Sequence, residues 1–268
     1  MRNSEVHRMD LTYSEYLKLD KLLDLQDVRS DPPEHDELLF IVIHQVYELW
    51  FKLVLHEIDK VKRDLSNNDL FSAIATFKRI RTVMKTLVGQ LDILETMTPM
   101  SFTAFRDRLE TASGFQSCQF RELEFVMGFK RSKMVETFAP GTVERKKLEK
   151  RLRDPSIVDH FYDFLEQQGV EIPEQLKQKD PTLSAQPNTQ IQAGVLRLYR
   201  ERPDVAILFE LMTDLDEGMQ EWRYRHVKLA ERAIGHKRGT GGSVGVDFLK
   251  QSLFRPVFHD LWAVREKL

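Results

Sequence analysis

The sequence predicts an all-α fold: a single domain of long packed helices that enclose a pocket, with a helical N-terminal arm. Three observations carry this. Apolar residues recur at steps of three and four nearly everywhere, the period of an amphipathic helix. No alternating apolar run bounded by Asn-Gly or Asp-Gly suggests a hairpin. Capping and stopping residues stand where the helical stretches begin and end.

In chain order, a short helix is expected over 11–27 and a long one over 34–65. Ser66-Asn67-Asn68-Asp69 is a good capping cluster. After it, Leu70, Ile74, Phe77, Ile80, Met84, Leu87, Leu91 and Leu94 mark one amphipathic helix to about residue 97. Shorter helices are expected over 101–110, 115–128, 142–153 and 156–168. Asp154-Pro155 is the start signal for the last of these and Gly169 its end. Residues 170–190 carry Pro173, Pro181 and Pro187 among polar residues and read as a loop. That loop is a candidate domain boundary, but neither side of it alone holds a complete set of candidate site residues, so it reads as a connection within one domain. A long helix over 203–234 stops at Gly235.

Composition narrows the functional classes. The 268 residues are 41% hydrophobic and 31% charged, a globular profile with length enough for a substantial core. Forty Lys and Arg stand against 42 Asp and Glu, and the net charge of -2 gives no reason to expect nucleic acid or an anionic membrane. No stretch reaches the roughly 18 uncharged apolar residues of a membrane helix. The opening MRNSEVHRMD has no apolar signal region. A cytoplasmic location is expected. The single cysteine, Cys118, excludes a disulfide within the chain and argues against a cysteine-based metal site.

Three stretches break the amphipathic pattern. In the first, Phe40 to Phe51, large apolar residues surround His44, which shares a helical face with Phe40, Tyr47 and Glu48. His44 reads either as a core histidine satisfied by a neighbour or as a neutral imidazole aimed into a pocket. In the second, Arg106 lies one turn after Phe102, and Ser113-Gly114 follows. Arg106 is either a surface side chain lying along aromatics or a buried guanidinium ready to grip a carboxylate. Ser113-Gly114 interrupts the helix and bares backbone N–H groups. In the third, His226 sits inside a long helix one turn after Trp222, ahead of Gly239-Thr240-Gly241-Gly242-Ser243. A helical histidine with a free ring nitrogen is a usual way to hold haem iron; a helix-surface histidine in a salt-bridge network with Glu221 or Glu231 is the plainer alternative. The glycine run lacks the strand and the Gly-Lys-Ser/Thr of a phosphate loop and reads as a flap. His7, His56, His160, His236 and His259 read as surface or packing residues, and His35 and His44, nine apart, do not share a face.

Taken together, the blocks FIVIHQVYELWFK, MTPMSFTAFRDRL, ASGFQSCQFRELEF, RHVKLAERAIGHKRGTGGSVG and LFRPVFHDLW, with Tyr13 to Leu17 ahead of them, resemble the tryptophan 2,3-dioxygenase family. The likeness spans most of the chain. It implies haem b, one per subunit, in residues 31–268, and residues 1–30 as an arm touching a neighbouring subunit of a homotetramer. It implies that His226 is the axial ligand of the haem iron and that Ser113 and Gly114 lie over the haem. It places His44 against the indole N–H as a positioner, Phe40 and Phe102 around the indole, and Arg106 on the substrate carboxylate. Ile41, Val42 and Ile43 would line the same pocket. Thr240 would stand near the substrate ammonium, and Tyr13 and Tyr16 would reach into a neighbouring site. The implied reaction inserts O2 across the indole C2=C3 bond of L-tryptophan to give N-formyl-L-kynurenine; mono-oxygenation of a substituted tryptophan is the alternative. Val244, Phe248 and Leu91 depart from residues common in the family and touch flap closure and pocket lining.

Overall fold

The computed structural model describes residues 10–235, Lys237 and 245–268. Among these residues every regular element is a helix. The arm begins with α1 (Tyr13–Leu17), whose start is fixed by a capping box: the Thr12 hydroxyl accepts from Glu15 N, and the Glu15 carboxylate accepts from Thr12 N. Lys18, at φ 53°, turns the chain into α2 (Leu19–Leu22), so the single helix expected over 11–27 is two short pieces. α3 (His35–Ser66) runs 32 residues. α4 (Leu70–Leu94) is capped by Asp69, whose carboxylate accepts from Ser72 N at 3.0 Å. α5 (Pro99–Arg106) starts earlier than expected because Thr98 caps it and Pro99 fits its first turn. Two 3₁₀ turns, Asp107–Leu109 and Gly114–Gln116, lead to α6 (Cys118–Val126). α7 (Val143–Arg153) and α8 (Ile157–Gln167) follow close to their expected limits, with Thr142 and Ser156 as caps.

The proline-bearing stretch holds the one-turn α9 (Glu174–Lys177) and gives way to α10 (Thr189–Glu201), a helix the sequence reading does not anticipate. Asn188 starts α10 by accepting from Gln190 N and Ile191 N, and Ile191, Val195 and Leu198 form its buried stripe. The connection belongs to the same core: Val170, Ile172 and Ala185 are buried in it. α10 lies so close that a Cβ on Gly194 would stand 2.3 Å from Val170 Cγ1. The chain then forms α11 (Pro203–Ile234), α12 (Val246–Lys250) and α13 (His259–Ala263).

α3, α4 and α11 make the centre, with α6 and α8 packed on α3 and α10 and α13 on the C-terminal side. The core is contributed by stripes such as Val54, Ile58 and Val61 of α3, Phe77, Ile80 and Met84 of α4, and Leu208, Phe209 and Met212 of α11. α3 is long and apolar enough to cross a membrane, with mean hydropathy 1.7 over its best window. Here it is the central helix of the bundle, although Leu38, Val42 and Leu49 stand 47%, 37% and 52% exposed on its outer face.

Two fully or nearly buried carboxylates fasten the last helices. Asp216 Oδ2 accepts from Val257 N at 2.8 Å, Phe258 N at 3.1 Å and Trp262 Nε1 at 2.9 Å. Asp260 accepts from Tyr162 Oη at 2.8 Å, Asn188 N at 2.8 Å and Gln192 Nε2 at 3.0 Å. An ionised acceptor makes such bonds stronger than a neutral one does. Asp216→Asn preserves shape and removes the charge assistance, so unfolding free energy should fall by about 1–3 kcal/mol. A urea midpoint equal to that of the parent chain would contradict this account.

Candidate active site

One cavity of about 650 Å³ opens between the N-terminal half of α3, the end of α4, α5, α6, α11 and α12. That is a volume typical of pockets that enclose a drug-sized ligand. Phe40, His44, Phe102, Arg106, Ser113, Gly114 and His226, which are far apart in sequence, all face it. Leu91, Leu94, Leu229 and Ala233 supply apolar wall. The cavity therefore brings together the candidate residues of the three unusual stretches.

Ile41, Val42 and Ile43, also expected at this pocket, stand apart from the others. They do not line this cavity. The helix advances about 100° per residue, so the face that presents Phe40 and His44, four apart, turns the three residues between them elsewhere. Ile43 packs in the core and Val42 faces outward. Tyr13 and Tyr16, on α1, are 74% and 72% exposed and lie outside their own chain's cavity. The arm's later residues do reach it. Leu22 and Leu25 line the cavity, and Gln45 Nε2 holds the arm by donating to Leu25 O at 2.9 Å. Thr240 and most of the glycine-rich stretch, with Val244, lie outside the described residues, as does the side chain of Phe248.

His44 is held by its own helix. Its Nδ1 lies 2.7 Å from the carbonyl oxygen of Phe40. A carbonyl only accepts, so Nδ1 carries the proton and Nε2 is left with a lone pair. Phe40 packs on the imidazole with ring centroids 4.0 Å apart. Phe40, Phe102 and Phe105 form an aromatic corner with centroids 5.5–5.7 Å apart. Phe105 is completely buried behind that corner and fixes it. Burial lowers the pKa of His44, outweighing the Phe40 carbonyl and the Glu48 carboxylate, which raise it.

His226 stands on α11 with its ring parallel to Trp222, at 3° and a centroid separation of 5.2 Å. Its edge opens to the cavity, and among the described residues no side chain or backbone group hydrogen-bonds to it. Enclosure by protein pushes its pKa down to about 4, with smaller contributions from His44 and Arg121. The ring is therefore neutral and has a nitrogen available as a ligand.

The polar end of the cavity was not singled out from the sequence. Arg121 donates to Glu124 at 2.5 Å, and Arg131 donates to both oxygens of the same carboxylate at 2.7 and 2.8 Å. Arg121 lies over Phe115 and Phe120 at 4.9 and 5.2 Å. Arg223 caps Phe129 at 4.3 Å. The buried Nε atoms of Arg121 and Arg223 have no hydrogen-bond partner. The signal was present in QFRELEF: an Arg and a Glu three apart inside an apolar run share one helix face. Cys118 is half-buried with its thiol pushed up to about 11, so it is unreactive at neutral pH.

These histidines give a pH dependence with a defined sign. The folded chain keeps His44 and His226 neutral below the ordinary value of 6.5. The unfolded chain takes up those protons first, so stability falls as pH drops from 6.5 towards 4. Turnover that depends on neutral His44 should be level from pH 8 to 6.5, with its acid limb lower. An acid limb above 6.5 that disappears in His44→Gln would contradict the burial of this ring.

The comparisons agree with the geometry. A tryptophan 2,3-dioxygenase family profile matches residues 2–171 and 175–268. The tryptophan 2,3-dioxygenase of Herpetosiphon aurantiacus is 52% identical over 258 residues, covering 96% of this chain and 98% of its own. That of Anaeromyxobacter dehalogenans is 48% identical over 268 residues and covers both chains completely. At greater distance, the tryptophan 2,3-dioxygenase of Bacillus thuringiensis is 38% identical over 262 residues, covering 97% of this chain and 93% of its own. With a matching profile over nearly all its length and relatives of this similarity, the chain belongs to the tryptophan 2,3-dioxygenase family.

Proposed function

We propose that this chain is a haem-dependent dioxygenase that converts L-tryptophan and O2 to N-formyl-L-kynurenine. The observation that carries the reading is the meeting of a bare neutral imidazole (His226), an oriented imidazole (His44) and a guanidinium (Arg106) in one largely apolar cavity. These residues fit haem. His226 offers a neutral nitrogen, the walls are apolar enough for a porphyrin, and Arg121, Arg131 and Arg223 supply positive charge for its propionates. Bound there, haem supplies the iron chemistry that activates O2.

The remaining work falls to the chain. Arg106 grips the substrate carboxylate with paired N–H donors. Phe40 and Phe102, backed by Phe105, enclose the indole ring. His44 Nε2, the acceptor left by the Phe40 bond, receives the indole N–H and so sets the ring's rotation. Three anchors of this kind fix C2 and C3 at close range to O2, which lowers the entropic part of the barrier. The Leu22 and Leu25 side of the arm helps exclude water. Both oxygen atoms enter the product and the C2–C3 bond breaks, so no other reductant is needed. His44 positions more than it moves protons, and His44→Ala should retain haem and part of the activity.

Exposed apolar surface supports an assembly of several chains. Tyr13, Tyr16 and Leu23 of the arm are 74%, 72% and 73% exposed, alongside the Leu38, Val42 and Leu49 face of α3. Large apolar side chains left exposed in this way favour association. In our reading the chain forms a cytoplasmic homotetramer in which the α1 tyrosines approach a neighbour's cavity, and residue 240 closes over the substrate ammonium. The test is the haem-reconstituted, reduced protein mixed with L-tryptophan in air. N-formylkynurenine absorbance should grow. A haem spectrum without that product, or with a hydroxylated indole instead, would overturn the reaction.

A further inference from the structure

A second cleft, of about 800 Å³, lies toward the other end of α3 from the aromatic corner, between the C-terminal half of that helix, α7 and the start of α8. Its charge is arranged unusually. Arg151 is saturated: its guanidinium donates to both oxygens of Asp59 at 2.7 and 2.8 Å and through Nε to Glu122 at 3.2 Å. Lys150 is paired with Asp154 at 2.5 Å. These pairs use every carboxylate of the cleft. Lys62, Arg63 and Lys147 also face it, and among the described residues none of them has a hydrogen-bond or ion-pair partner.

Lys62 is the telling residue. It is only 8% exposed, and its ammonium has no carboxylate within ion-pair distance, because Asp59, which attracts it from farther off, is already taken by Arg151. A buried charge without a partner is costly, and in a native protein such a group calls for an ion, water or ligand to explain it. The surplus potential is felt nearby. His160, whose Nδ1 lies 2.7 Å from Ser66 Oγ, is pushed down to about 4, by burial first and by the Lys62 charge next. The cleft therefore holds a neutral hydrogen-bonding pair beside three cations that make no ion pair, and its five cationic side chains outnumber its three carboxylates.

We propose that this cleft binds a phosphate dianion, either as inorganic phosphate or as the head group of a small phosphomonoester. Two of the three cations are lysines, point charges that suit an oxyanion with oxygens in several directions; a planar carboxylate is better served by a guanidinium fork, and the fork of Arg151 is already filled. The volume exceeds that of a bare oxyanion and leaves room for an attached small molecule. α6 links the two sites: Glu122 faces this cleft while Arg121 and Glu124 face the catalytic cavity.

The test is calorimetric titration of the haem-loaded enzyme with inorganic phosphate and, separately, with glycerol phosphate, at ionic strength matched with chloride. Saturable binding of either probe at one site per chain is expected, and the stronger of the two identifies the source. Lys62→Met should abolish that binding while leaving dioxygenase turnover intact. Lys147→Gln, at an exposed position where folding is not at issue, should weaken it at least tenfold. No binding of either probe, or equal binding by the parent chain and Lys147→Gln, would overturn the proposal.

Discussion

Replacing His226 with alanine should strip the enzyme of haem and of all turnover. The imidazole is the only neutral nitrogen donor that the long α11 presents to the cavity, and it has no other partner among the described residues to lose. The substitution therefore breaks no hydrogen bond within the chain. It removes one ring from a stack on Trp222, a modest cost to the fold. Loss of an iron ligand is a larger change than loss of an outer partner, which already weakens metal affinity by about 10–100-fold. The expected result is a helical protein with an unchanged far-ultraviolet spectrum, no Soret band and no product. Added imidazole, small enough to enter the space left behind, should restore part of the Soret band. A normal Soret band in the variant would assign the iron to another residue, with His44 the first to examine.

Arg106→Leu should leave haem in place and raise KM. The side chain stands one turn beyond Phe102 at the end of α5, on the cavity wall. In the proposed function it grips the substrate carboxylate, and losing one partner of a desolvated charged pair costs about 2–5 kcal/mol. That corresponds to roughly 30- to 5,000-fold in kcat/KM. Arg106→Lys should recover little, because an ammonium cannot make two parallel bonds to a carboxylate. Indole-3-propionate, which keeps the carboxylate but lacks the ammonium, should lose the same factor with the variant. Unchanged KM for tryptophan would remove Arg106 from the binding site.

Much of this was legible in the sequence, for physical reasons that also explain the gaps. α4 announced itself because its apolar residues keep one period across 25 residues behind a strong cap. α10 was hidden although its stripe at 191, 195 and 198 has the same spacing. Three prolines just before it drew attention to the loop. His44, Arg106 and His226 stood out as polar residues set among aromatics, and the fold brings all three to one cavity. Ile41, Val42 and Ile43 lie between Phe40 and His44 in sequence but not on their face, since a helix separates neighbours and joins residues three or four apart. The Glu124 pair with Arg121 and Arg131 needed the tertiary structure: Arg131 reaches Glu124 from outside α6.

The fastening of Asp216 has a consequence for when the enzyme becomes competent. Asp216 lies on α11, ten residues before His226, and its donors come from residues 257–262. Those donors follow every residue of the cavity wall in the chain, the last of which is Ser252. During synthesis the helix that carries His226 is therefore made with a carboxylate whose partners do not yet exist, and it cannot bury that charge until they emerge. The wall of the cavity should therefore set only once residues 257–262 are in place, and a chain shortened before residue 257 should leave α11 poorly packed.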